Sequence, residues 1–89
     1  MMPYRIEFSR EAVSDIDGLQ SADRKLCGRI IKKLESLAGA PHAGKPLVGN
    51  HAGEFSLRVG DYRVVYEIDS ASHIVYILTI KHRRHVYQL

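Results

Sequence analysis

The stretch Gly53-Glu54-Phe55-Ser56-Leu57-Arg58-Val59-Gly60-Asp61-Tyr62-Arg63-Val64-Val65-Tyr66-Glu67-Ile68 decides the fold. Apolar residues alternate on both sides of Gly60-Asp61, with Phe55, Leu57 and Val59 before it and Tyr62, Val64, Tyr66 and Ile68 after it. Period two marks half-buried strands, and a two-residue loop opening on Gly suits a type II′ hairpin. That register pairs Val59 with Tyr62 and sets Arg58 across from Arg63. Opposed residues of antiparallel strands share a face, so the apolar set forms one face that something must cover. Glu54, Ser56, Arg58, Arg63, Val65 and Glu67 form the other. Opposed like charges, roughly 4.5–5.5 Å apart at Cβ, destabilise a sheet. An anion held between Arg58 and Arg63 would account for them, and the planar guanidinium fork matches phosphate. Two plainer readings stand beside it: the arginines diverge into solvent, or Glu54 and Glu67 offset part of their charge.

Upstream, Tyr4–Phe8 alternates in the same way and predicts a short strand. Ser9 is a suitable N-cap, and Ala12, Val13, Ile16 and Leu19 follow at helical spacing, with Gly18 near the helix end. Ser21 is expected to cap a second helix from Ala22 to Ala38. Its stripe is Leu26, Cys27, Ile30, Ile31, Leu34, Leu37 and Ala38, and Gly39 ends it. So short a connection predicts an antiparallel helical hairpin. Ala40–Gly53, rich in Gly and Pro, reads as a loop. Downstream, Asp69-Ser70-Ala71-Ser72 turns the chain into a last strand from about Ile74 to Ile80, apolar on both faces as an interior strand is. The expected order is strand, two helices and a three-stranded antiparallel meander, an α+β fold with both helices on one sheet face.

Eighty-nine residues form one domain, 1–89, with a thin core. At 45% apolar and 26% charged residues, the composition is that of an ordinary globular chain. Its longest largely apolar run, Ile74–Ile80, is far short of the roughly 20 residues of a membrane span. The opening Met1-Met2-Pro3-Tyr4-Arg5 has no signal-peptide pattern. The single cysteine, Cys27, falls in the helical stripe and can neither pair internally nor build a cysteine zinc cluster. No membrane, no metal and no cofactor is implied, and the expected compartment is a reducing cytoplasm. The net charge is +3, but no acidic residue follows Asp69, while Lys81, His82, Arg83, Arg84 and His85 crowd the end. An acid-free basic end suits a polyanion such as nucleic acid, or is simply a solvated tail.

The hairpin, together with Ile80-Lys81-His82-Arg83-Arg84-His85-Val86-Tyr87, resembles the RelE/ParE toxin superfamily. Lys45-Pro46-Leu47 and the opening strand and helical hairpin are similar too, so the likeness covers nearly the whole chain. It implies a RelE-like fold and a toxin of a type II toxin–antitoxin system. RelE-type members are ribosome-dependent mRNA endonucleases that cut in the ribosomal A site. ParE-type members poison DNA gyrase. Both kinds are held inactive by a cognate antitoxin. The basic ending looks more like the RelE branch, whose partners would be an acidic, DNA-binding, RelB-like antitoxin, the ribosome and mRNA. A family member that mainly binds its antitoxin is the third reading.

By that resemblance Arg63 matches the arginine on the scissile phosphate. Arg83, or Arg84 if the gap is placed differently, matches the arginine of the C-terminal cluster. Tyr87 matches a tyrosine that stacks on a base or helps move a proton. The family often carries lysines on the strand before the turn, and here Glu54 and Ser56 hold those places. Lys45, Arg58, Lys81, His82 or His85 then have to compensate. Attack of a ribose 2′-oxygen on phosphate needs a base, cationic stabilisation of the phosphorane and an acid. Guanidiniums suit the second role, and a histidine titrating near neutrality suits the others. The expected catalytic set is therefore Arg63, Arg83, Tyr87 and His85, with Arg58, Lys45, Lys81, His82 and Arg84 binding RNA. His42, His51 and His73, in loops or at a strand edge, are expected bystanders.

Overall fold

A computed structural model describes residues 3–85. Strand β1 (Arg5–Phe8) leads into helices α1 (Arg10–Ala22) and α2 (Arg24–Ser36). Strands β2 (Lys45–Pro46), β3 (Glu54–Val59), β4 (Tyr62–Asp69) and β5 (Ile74–His82) follow. The sheet order is β1-β5-β4-β3-β2, with β1 parallel to β5 and the other pairs antiparallel. Both helices pack on one face, giving the expected α+β layering. The structure adds the parallel docking of β1 and a two-residue edge strand, β2, inside the predicted loop.

Ser9 caps α1 as expected: its Oγ accepts the Ala12 N–H at 3.0 Å. The same hydroxyl donates to the Leu78 carbonyl at 2.7 Å, which ties the start of α1 to β5. The second cap differs from expectation. Ser21 lies in the last turn of α1, and Asp23 caps α2 by accepting the Leu26 N–H at 3.1 Å. The helix also runs straight through Gly18. Asp23 serves both helices, since its own N–H donates to the Leu19 carbonyl at 2.7 Å. Helix α2 stops at Ser36, short of the expected Ala38.

The core lies between the helical stripes and the apolar sheet face. Ile30, Leu34 and Leu37 meet Val64, Tyr66, Val75 and Ile77, all essentially buried. Side chains of this size each contribute about 1.5–3 kcal/mol on burial. Cys27 is among them, as its place in the stripe predicts. The hairpin forms in the expected register, Val59 against Tyr62 and Arg58 against Arg63. Gly60 takes φ +59°. Asp61 stays out of the left-handed region, which selects the primed turn with positive φ at its first position only.

Strand β5 holds a bulge. Val65 opposes Thr79 and Tyr66 opposes Ile77, so Leu78 is left without a partner. One extra residue exchanges the two faces for everything that follows. Ile80 therefore joins the core, while Lys81 falls opposite Arg63. β5 also continues to His82, two residues beyond the expected end.

Candidate active site

The face away from the helices is built in rows set by the sheet register. One row runs Lys45, Ser56, Val65, Thr79, and the next runs Arg58, Arg63, Lys81. Just past β5, Arg83 is drawn to the hairpin turn: its N–H donates to the Asp61 carbonyl at 2.8 Å, and its Nε lies 3.9 Å from Asp61 Oδ1. Arg58, Arg63 and Arg83 thus line one small cavity of about 160 Å³ with Asp61 and Tyr62. The sequence placed Arg58 and Arg63 together. The turn contact with Asp61 brings in Arg83.

The opposed arginines splay along the strands. Arg58 Nε donates to the Gly60 carbonyl at 3.1 Å, and Arg63 Nη1 donates to Ser56 Oγ at 3.2 Å. Neutral acceptors orient both guanidiniums without cancelling their charge. Among the described residues, neither forms an ion pair. Glu54 does not offset them. It bonds His51 Nδ1 at 3.1 Å and opposes Glu67, two rows away. Of the expected bystanders, His51 is thereby engaged. His42 is exposed with its ring edge-on to Phe55, and His73 is stacked on Tyr4.

Lys45 is exposed on edge strand β2, on the same face as the arginines. Lys81 is in register with them, but its ammonium is committed elsewhere. It lies 2.7 Å from Asp15 Oδ1 and 3.2 Å from Glu11 Oε2, beyond the end of β1. The Asp15 hydrogen bond, aided by Glu11 and opposed by burial, raises the Lys81 pKa above its usual 10.5. Asp15 Oδ2 also accepts the Ile80 N–H at 2.9 Å, so one carboxylate holds both the backbone and the side chain at the end of β5. His82 Nδ1 accepts the Arg84 N–H at 3.2 Å, and its ring stands edge-on to Tyr62 at 5.3 Å. Arg84 is exposed. Tyr87 and the side chain of His85 lie outside the described residues.

A larger hollow of about 680 Å³ lies between α1 and the end of β5, lined in part by Asp15, Tyr62, Ile80, His82 and Arg84. It is bigger, but the smaller cavity is the better candidate because three arginines line it. Among the described residues, no three His, Cys, Asp or Glu side chains are grouped as metal ligands. No helix among them is long and apolar enough to cross a membrane.

Sequence reasoning missed three supports: Ser56 under Arg63, Asp61 beside Arg83, and Asp15 beneath the end of β5. The hairpin register contained the first, because Ser56 stands diagonally across from Arg63. The other two depend on contacts beyond the hairpin.

Comparison with known proteins finds relatives along nearly the whole chain. A family model described as the ParE toxin of the type II toxin–antitoxin system parDE matches residues 6–87. Toxin RelG of Mycobacterium tuberculosis is 36% identical over 88 residues, covering 98% of this chain and 99% of its own. Toxin RelE of the same organism is 35% identical over 88 residues, covering 98% and 89%. A chain in the crystal structure of the M. tuberculosis toxin–antitoxin complex RelBE2 superposes with a TM-score of 0.82 at 34% identity, covering 91% of this chain and 99% of that one.

Proposed function

The chain belongs to the RelE/ParE superfamily as a RelE-family toxin of a type II toxin–antitoxin system, and from that premise we propose that it is a ribosome-dependent mRNA endonuclease. The observation that carries this reading is that Arg58, Arg63 and Arg83 line one cavity on the sheet face, where Asp61, paired at long range with Arg83, is the one carboxylate in the lining.

The ribose 2′-oxygen attacks the adjacent phosphorus, the bond from phosphorus to the 5′-oxygen breaks, and a 2′,3′-cyclic phosphate and a 5′-hydroxyl result. Negative charge grows on the non-bridging oxygens between those events. Arg63, on a rigid strand and oriented by Ser56, meets that charge, and Arg83 assists from the turn. Donors fixed before the reaction are worth most because they need no reorganisation as charge develops. Arg58, Lys45, His82 and Arg84 hold the RNA backbone, and Lys81 contributes mainly by fixing the end of β5. His85 and Tyr87 are the proposed proton-transfer and stacking groups.

A cavity of about 160 Å³ is too small to enclose a flexible strand and hold it in line for attack. Positioning is worth roughly 7–11 kcal/mol of a barrier, and the ribosome would supply it. Naked RNA should therefore be a poor substrate. The proposed inhibitor is a RelB-like antitoxin, as the relative in the RelBE2 complex is paired with an antitoxin.

The test is induction followed by mapping of RNA ends and of DNA integrity. Fragmentation of mRNA on translating ribosomes, relieved by the antitoxin, is the expected result. Accumulated double-strand DNA breaks with intact mRNA would instead assign gyrase poisoning, the competing reading suggested by the ParE description of the matched family. Neither product would assign a chain that mainly binds its antitoxin.

A further inference from the structure

We propose that the outer face of α2 is a second RNA-docking surface, which grips the phosphate backbone of structured RNA while the sheet face meets the strand to be cut. This rests on the ribosome-dependent reading and extends it to a surface that the catalytic argument does not use. Lys25, Arg29, Lys32 and Lys33 stand at helical spacings of four, three and one, so they share one side of the helix. Arg24 adds a fifth cation at its start, and all five are exposed. Among the described residues, none of the five pairs with a carboxylate. From Lys25 to Lys33 the stripe is therefore a positive surface about 12 Å long, from eight steps at 1.5 Å rise.

The stripe continues into the candidate site. Arg29, Lys32 and Lys33 line a hollow of about 410 Å³ with Ser36 and Val59, at the end of β3. Arg29 also lines a hollow of about 390 Å³ that reaches Gly60 and Asp61 at the hairpin tip, where Asp23 and Asp61 supply two carboxylates and Leu26 and Tyr62 apolar surface. Arg58 and Arg63 emerge on the other side of the same tip. One long polyanion could thus touch both surfaces by passing the turn.

Side-chain chemistry favours RNA over a protein partner. Protein interfaces centre on aromatic and apolar anchors, and lysine is depleted from them. Between Lys25 and Lys33 the stripe offers cations and Gly28, with Ser36 and Val59 at its margin and the carboxylates of Glu35, Asp23 and Asp61 outside it. Such a surface suits the closely spaced phosphates of an RNA duplex, which are bound without regard to sequence.

The test uses the full-length protein carrying Arg29→Gln, Lys32→Gln and Lys33→Gln together, with folding checked by circular dichroism. Binding to purified 70S ribosomes is titrated across salt concentration. Each lost phosphate contact lowers the slope of log K against log salt by about 0.7–0.9, so the triple variant should lose between about 2 and 3 in slope. Cleavage of mRNA on saturating ribosomes should be unchanged, as should antitoxin affinity. An unchanged salt slope would overturn the proposal, and so would a loss confined to antitoxin binding, which would assign the stripe to an acidic peptide. A wild type that binds ribosomes with the α2-dependent slope but cuts no mRNA would overturn the nuclease reading and leave the docking surface standing.

Discussion

Lys81 occupies the register position opposite Arg63, yet its ammonium lies 2.7 Å from Asp15 Oδ1 on the first helix. A cation that sequence position assigns to RNA is instead half of a brace. Asp15 accepts from Lys81 Nζ and from the Ile80 N–H, and Ile80 is buried. Removing the carboxylate leaves a buried donor unpaired, which costs about 1–3 kcal/mol. Asp15→Ala should therefore lower stability by that amount in urea unfolding. Asp15→Asn, which keeps an acceptor oxygen, should recover part of the loss.

The same brace gives a pH dependence whose sign follows from the Lys81 shift. The folded-state pKa is raised above 10.5, first by the Asp15 hydrogen bond, against burial, and then by Glu11. A raised pKa adds stability that is fully present below the unfolded value and is lost as pH rises through the folded one. Wild-type stability should thus fall more steeply than that of Lys81→Met above about pH 10.5. Parallel slopes for the two proteins would rule out the brace as the source.

Tyr66 ties the core to the loop that carries Lys45. Its hydroxyl donates to the Pro41 carbonyl at 2.8 Å and accepts the Gly44 N–H at 2.9 Å, and its ring stacks on Phe55. Gly44 is needed for that approach, since a Cβ there would lie 2.5 Å from Tyr66 Oη and 2.9 Å from the Ser56 carbonyl. Burial raises the Tyr66 pKa above 10.0, with the Gly44 hydrogen bond pulling the other way. Tyr66→Phe should cost about 1–3 kcal/mol in thermal or urea unfolding, from two polar groups left without their partner. Gly44→Ala should also destabilise, because backbone as well as side chain would have to move.

Gly28 offers the opposite case. It lies mid-helix and exposed, and a Cβ there would meet nothing within 4 Å. Glycine costs about 0.8–1.0 kcal/mol relative to alanine in a helix interior. Gly28→Ala should stabilise by about that much and raise Tm by roughly 4–8 °C in a domain of this size. A lowered Tm would mean that the helix is constrained there in a way its surroundings do not reveal.

The hairpin was legible because its alternation is clean. Phe55 to Ile68 fixes which residues share a face, and a two-residue turn fixes the register. Strand β5 was not, since apolar residues from Ile74 to Leu78 occupy both faces and give no phase to betray the bulge at Leu78. That bulge decides that Lys81 and not Ile80 stands in line with Arg63. The cap at Asp23 was missed for a related reason. Ser21 and Asp23 are both good caps, and only the length of α1 selects between them. Strand β2 is two residues long, and its pairing with β3 rests on tertiary contact that no local pattern encodes.

Arg63 is the position on which the proposed nuclease chemistry depends most. Its guanidinium is fixed by a strand and by Ser56 Oγ, faces away from the helices, and is balanced by no carboxylate among the described residues. Loss of one preorganised donor typically lowers a rate roughly 100- to 1,000-fold, about 2.7–4 kcal/mol. Because the charge it meets grows in the transition state, the loss should appear in the rate on saturating ribosomes more than in affinity. Arg63→Ala should remain folded, bind antitoxin and ribosomes, and cleave at least 100-fold more slowly by that estimate. Arg63→Lys should restore little, since an ammonium cannot present two parallel donors. Ser56→Ala should give a smaller defect of the same kind, as the guanidinium loses its anchor but keeps its charge. Arg83→Ala should fall between them, because its link to Asp61 is a long ion pair at the surface. Single-turnover cleavage of mRNA on purified ribosomes would measure all four, and wild-type rates for folded Arg63→Ala would remove this face of the sheet as the active site.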